Sequence, residues 1–264
     1  MHADLSPEST RDRLHLGKLL APGKYTLLFL AAIAVATLFW SWLAWNANMP
    51  VWGMTLAILG VLALPLGLKW HADFRQYGVA AAVLGVLLFL QSFHMLEHVV
   101  QVIQFYVLDR PGALSFGLLS ALNAEWVHFT WNWFVFGLLL FLMSRGLRNP
   151  WAWLLLTWSL LHSLEHTYML VRHYMVLNEL AQMGILPLPV AHALPGILGR
   201  DGWLALESFC GRIPGFTTEP RVSIHFWWNA GETVLLFLAA WYGLPRLLAK
   251  QNESSHVPET VTEK

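Results

Sequence analysis

Apolar runs of about 20 residues recur along this 264-residue chain, separated by short polar connectors. Lipid cannot satisfy a backbone N–H or C=O, so a run of that length inside a bilayer has to be a helix. The composition agrees. Residues are 56% hydrophobic and only 12% charged, against about 25% charged in an ordinary soluble domain. The charges gather at the ends, in the connectors and in one late loop. Many of the 15 tryptophans stand near the ends of the apolar runs, where an interfacial aromatic belt belongs. Zero net charge gives no argument for nucleic acid, and Cys210, the sole cysteine, excludes an intrachain disulfide and any multi-cysteine metal site. The expected fold is all-α: a polytopic membrane protein with six transmembrane helices in a bundle.

Residues 1–24 read as a polar cytoplasmic N-terminal segment with Arg11, Arg13, Lys18 and Lys24. The apolar run after them is too long for a signal-peptide core and lacks a small-residue cleavage site, so it is read as an uncleaved first span. Spans are expected at about 25–47, 51–68, 77–107, 114–144, 150–177 and 223–244, making a membrane domain of 25–248. Asn48-Met49-Pro50 and Asp109-Arg110-Pro111-Gly112 read as turns, 69–76 as a polar connector, and Pro150 as a first-turn proline. Residues 178–222, rich in proline and glycine, read as a long outer loop with a short interfacial helix around Trp203-Leu204-Ala205-Leu206, favoured as a lid over the site. Residues 249–264 read as a disordered cytoplasmic tail. With the N-terminus inside, 11 of the 16 basic residues fall on the cytoplasmic side, as the positive-inside rule expects. Both termini are then cytoplasmic and the long loop faces outward, in a multi-pass protein of the cell inner membrane.

Within the apolar runs one motif occurs twice. His94-Met95-Leu96-Glu97-His98 and His162-Ser163-Leu164-Glu165-His166 both read His-x-x-Glu-His. Residues three and four apart share a helix face, so each copy presents two imidazoles and a carboxylate in one arc. Gln101 and His173 extend those arcs. The fourth span adds Glu125, His128 and Asn132, and the sixth adds His225, Asn229 and Glu232. In the alternating topology all of these fall at one depth, in the outward halves of four helices. Ionisable groups in hydrocarbon are costly and mark functional sites. The expected metal ligands are His94, His98, His128, His162, His166 and His225, with Glu97, Glu165 and Glu232 as carboxylate ligands. Glu97 and Glu165 could instead accept the outer N–H of a ligating ring. Glu97, Glu165, Glu125 and Glu232 are the candidate acid–base groups. His71, His173 and His192 receive no role. Trp126, Trp131, Trp227 and Trp228 are expected to pack the bundle or line its mouth, with stacking on a ligand the alternative for one of them.

Six histidines exceed the needs of one tetrahedral zinc, so two metal ions are expected. Nitrogen and oxygen ligands with open positions suit iron and oxygen activation; zinc and copper are the alternatives. The leading expectation is a membrane-embedded dimetal oxidoreductase, a monooxygenase, desaturase or oxidase. It would act on a hydrophobic or lipid-like substrate on the extracytoplasmic side and draw electrons from a separate donor. The His-x-x-x-His spacing of His94/His98 and His162/His166 loosely resembles the histidine boxes of integral-membrane diiron desaturases and hydroxylases. Those families also carry His-x-x-His-His boxes and place them on the cytoplasmic side; this chain has no adjacent histidine pair. The alternatives are a zinc-dependent hydrolase of envelope lipids, a metal or proton transporter, and a haem electron-transfer protein. The His-Glu-x-x-His zincin motif is absent. The inner halves of the helices lack the charges a transporter would want, and haem would leave the glutamates unexplained.

Overall fold

The computed structural model describes residues 15–119, 124–185, 195–206 and 213–255. The protein is all-helical, 81% helix, with no strand among the described residues. In chain order the helices are α1 (His15–Leu20), α2 (Thr26–Ala47), α3 (Val51–Tyr106), α4 (Glu125–Ser144), α5 (Pro150–Gln182), α6 (Trp203–Leu206) and α7 (Arg221–Ser255).

Helix α3 contains 56 residues with one non-helical position, Gly78 (φ 78°, ψ 178°). In a straight helix Trp70 and Phe89 would lie about 28 Å apart. Their rings are 5.7 Å apart, so α3 folds back on itself at Gly78 into a tight hairpin. The polar connector expected at 69–76 is therefore helical. Its charges are buried rather than solvated: Lys69 Nζ lies 2.5 Å from Asp73 Oδ2 one turn on and donates to the Leu19 carbonyl at 2.6 Å. That bond ties α1 to the hairpin, and Leu16 and Leu19 are buried against it. The first 24 residues are thus not simply polar.

Other boundaries also differ from expectation. The fourth span was expected from 114, but α4 begins at Glu125. Gly112–Leu114 form a 3₁₀ turn, Gly117 takes φ +71°, and the N–H groups of Leu118 and Leu119 bind a side chain on α3 rather than one another's carbonyls. Helix α5 runs past 177 to Gln182. Helix α7 starts at Arg221 and runs past 244 to Ser255, so part of the tail expected to be disordered is helical. Pro150 does open α5, with Asn149 Oδ1 accepting from the Ala152 N–H and Asn149 Nδ2 donating to the Ala239 carbonyl on α7.

Among the described residues, three stretches are long and apolar enough to cross a membrane: Leu16–Asn46, Val51–Tyr106 and Glu125–Ser144. The large apolar side chains of α2 face outward, with Leu27 81% and Trp45 88% exposed. Such a surface belongs in lipid rather than in water. Helices α5 and α7 are less apolar because they carry polar groups into the bundle.

The second half of α3 packs with α4, α5 and α7 in two layers. One layer is purely apolar: Leu84, Leu87 and Leu88 from α3, Leu139 and Leu142 from α4, Leu155 from α5, and Leu236 and Ala239 from α7. The other is polar and equally buried, with His98, Asn132, His162, His166, Asn229 and Glu232 all 1% exposed or less. Helix α3 carries this layer near its end, α5 near its middle, and α4 and α7 near their starts.

The hairpin predicts a stability test. The Gly78 conformation is one that only glycine adopts without strain. Gly78→Ala is expected to cost about 1–3 kcal/mol in thermal unfolding of the detergent-solubilised protein. Gly60→Ala, on a helical position with nothing within 4 Å of the added carbon, is expected to be neutral or stabilising by up to about 1 kcal/mol.

Candidate metal centre

Six of the histidines meet in the polar layer. His94 and His98 come from α3, His128 from α4, His162 and His166 from α5, and His225 from α7. They form two triads, His94/His98/His128 and His162/His166/His225, and within each the ligating atoms lie within 4.8 Å of one another. The triads abut. The His98 and His225 rings stack at 5.4 Å, and those of His128 and His166 at 5.3 Å.

Hydrogen bonds on the far side of three rings set which nitrogen faces inward. His98 Nδ1 bonds Gln101 Oε1 at 2.8 Å, His128 Nδ1 bonds the Ala124 carbonyl at 3.2 Å, and His162 Nδ1 bonds Glu232 Oε2 at 3.2 Å. Each of these oxygens accepts, so each Nδ1 carries the proton and each Nε2 is left as a bare donor to a metal. His162 Nε2 is buried with no hydrogen-bond partner. Two Nε2···Nε2 separations are short, 3.3 Å for His94–His98 and 2.9 Å for His166–His225. Imidazole nitrogens about 2.0–2.1 Å from one ion sit about 2.9–3.4 Å from each other. The donor set therefore fits metal ions, and the histidine clusters are able to hold them.

The carboxylates take different places. Glu97 and Glu165, expected as ligands or as acceptors from ligand rings, belong to neither triad. Each turns instead to a loop. Glu97 accepts from the N–H groups of Leu118 (2.7 Å) and Leu119 (2.9 Å), and Glu165 from those of Ile197 (3.0 Å) and Leu198 (3.3 Å). A glycine precedes each pair, Gly117 and Gly196, and a Cβ on either would collide with the carboxylate. Glu165 thereby draws residues 195–198 of the expected lid down onto the bundle. Glu232, also expected as a ligand, belongs to neither triad; it bonds His162 Nδ1 and accepts from Gln91 Nε2, each at 3.2 Å. Glu125 pairs with Arg221 at 2.5 Å.

His173 lies outside both triads, and His192 lies outside the described residues. Trp126 and Trp227 are 59% and 63% exposed and point outward. Trp131 and Trp228 point inward. Trp228 lies flat on His162, centroids 5.3 Å apart and planes 5° off parallel, while Trp131 is tilted against His94 at 5.9 Å. The anchoring roles of Gln101, Gln91 and Arg221 are additions of the structure. The first two stand one turn from His98 and His94 on the same stripe, which is the signal that the sequence offered for them; Arg221 offered none.

Two cavities reach the centre. One, about 190 Å³ and mostly apolar, is lined by Leu90, Phe93, His94, Glu97, Leu119, Val127, His128 and Trp131. The other, about 160 Å³ and more polar, meets His225 and is walled by Gln101, Ser115, Glu125, Arg200, Asp201 and Arg221.

Fold and site together define an α-helical protein with membrane-type apolar helices and a buried six-histidine centre fit for metal. No protein family, curated protein or solved structure matches the chain.

If Glu97 anchors a loop, Glu97→Ala leaves two buried N–H groups without an acceptor, a loss of about 1–3 kcal/mol. Amide exchange at Leu118 and Leu119 is then expected to rise by about 5- to 150-fold, while the metal content stays as in the unaltered protein. A fall in metal content would make Glu97 a ligand.

Proposed function

We propose that this protein is a membrane-embedded dimetal oxidoreductase, with iron as its metal, acting on a hydrophobic or lipid-like substrate. The observation that carries this reading is the meeting of six imidazoles from four helices beside an apolar cavity. The proposed topology has six spans, counting the two arms of α3 separately and α5 and α7 as spans, with both termini in the cytoplasm. The centre then lies in the outward half of the membrane, where the lean of basic residues toward the other face puts it.

Two bound irons would supply oxygen activation and redox equivalents. The chain's own residues do the rest. The apolar cavity holds an alkyl group against the His94 and His128 face and keeps water from it, with Trp131 and Leu90 as walls. Glu232 holds the Nδ1 proton of His162 and fixes that ring's direction. Glu125 and Arg221 line the polar cavity beside His225, where a proton can be taken up or released without crossing the apolar one. A separate protein donates electrons. Glu97 and Glu165 act by seating the outer loops over the centre.

The polar cavity supports a second reading. Water that reaches His225 through it would suit a zinc hydrolase of lipid esters, amides or phosphoesters.

Elemental analysis and an optical spectrum of the purified protein test both readings. The expected result is two irons per chain and no Soret band. Two zincs would favour hydrolysis, a Soret band would replace both readings with haem, and metal-free active protein would end them. Glu232→Gln is expected to weaken metal binding by about 10- to 100-fold, read by competition with a chelator.

A further inference from the structure

The two triads are built by the same parts in the same order. His94-x-Leu96-Glu97-His98 corresponds to His162-x-Leu164-Glu165-His166. Gly117-Leu118-Leu119 corresponds to Gly196-Ile197-Leu198, and His128-Phe129-x-Trp131-Asn132 to His225-Phe226-x-Trp228-Asn229. The contacts repeat with the residues. In each set the glutamate accepts from the two N–H groups after the glycine. In each set the asparagine Nδ2 donates to the carbonyl of the histidine four residues before it, at 2.9 Å. The first set supplies one complete triad and the second set the other. Each set is a helix, a loop and a helix, and the first helix of each packs extensively on the second helix of the other. Internal repeats of this kind are a common way to build membrane folds.

One of the departures from this correspondence bears on the apolar cavity beside the first triad. Val127 answers to Ile224, Leu119 to Leu198 and Trp131 to Trp228, but Leu90 answers to Trp158. The Trp158 indole is seated over Gly231, where a Cβ would come within 2.5 Å of it; the counterpart of Gly231 is Phe134. Trp158 Nε1 donates to the Trp228 carbonyl at 2.9 Å, and Trp228 is stacked on His162. The space that is open beside His94 is filled with two indoles beside His162. Glu232 belongs to the filled side alone, its counterpart being Val135.

We propose that α3–α4 and α5–α7 are two copies of one metal-binding unit, and that only the first copy's ion receives the apolar substrate. This rests on the metal reading above. The His162/His166/His225 ion is closed to substrate by Trp158, with Glu232 fixing the His162 ring, while the His94/His98/His128 ion faces the cavity. A cavity of about 190 Å³ suits a small ring or an alkyl segment, since one of about 150 Å³ holds benzene.

The test loads the full detergent-solubilised chain with cobalt(II) and uses fluorobenzene as the apolar probe. Cobalt is counted per chain, and paramagnetic broadening of the fluorine signal, steep in distance, reports probe beside an ion. The unaltered protein is expected to bind two cobalts and broaden the probe. H94Q/H98Q and H162Q/H166Q are each expected to keep one cobalt; the first loses at least tenfold in broadening and the second keeps it. Leu90→Trp, which removes no ligand, is expected to keep both cobalts and lose the broadening. Trp158→Leu in the H94Q/H98Q background is expected to restore it. Loss of both ions from either histidine pair, or undiminished broadening in Leu90→Trp with two cobalts bound, would overturn the proposal. Unaltered protein that takes up no cobalt would instead overturn the metal reading itself.

Discussion

Six imidazoles gathered at one level of a helical bundle, five buried and His94 half-buried, are the constraint from which the rest of this structure follows. Left alone, that many polar rings in a dry interior would oppose folding, because a buried polar group without a partner costs about 1–3 kcal/mol. Three of the rings are relieved on their outer nitrogen by Gln101, the Ala124 carbonyl and Glu232. Within the two triads inner nitrogens face one another, at 2.9 Å in the tightest pair, His166 and His225. Metal between those nitrogens would turn the arrangement from a liability into a link, joining α3 to α4 through one triad and α5 to α7 through the other.

The remaining architecture shields that layer. Toward one end, leucines and alanines from the same four helices close the bundle and exclude water. Toward the other, two loops are drawn down by Glu97 and Glu165, whose carboxylates take the N–H groups that an irregular segment would otherwise leave unsatisfied. The motif glutamates are therefore the hinge between the helices and their covers. The hairpin at Gly78 and the buried Lys69–Asp73 pair stand apart from the centre and brace α1 against α3.

What could be read from the sequence was what helical periodicity carries. The spacing of His94, His98, His162 and His166 is local, and the alternation of spans was enough to bring His128 and His225 to the same depth; the structure gathers all six. Where the partner lies far along the chain, spacing was silent. The N–H groups that donate to Glu97 and Glu165 are 21 to 33 residues away, and the Glu125–Arg221 pair is 96 apart. Charged residues at 69–75 looked like a solvated connector because nothing local shows that Lys69 is satisfied by Leu19 and Asp73. The start of α4 was placed too early because an apolar stretch at 114–119 has helical composition, while Glu97 and Gln104 on α3 take its backbone groups and Gly117 turns at φ +71°.

X-ray absorption on the purified protein addresses the centre most directly, because it reports the atoms around a bound ion whichever metal that is. The expected spectrum shows about three imidazole nitrogens per ion at about 2.0–2.2 Å, with the outer-ring scattering that identifies histidine. A first shell of oxygens alone, or of sulfur, would contradict a centre built by these six histidines.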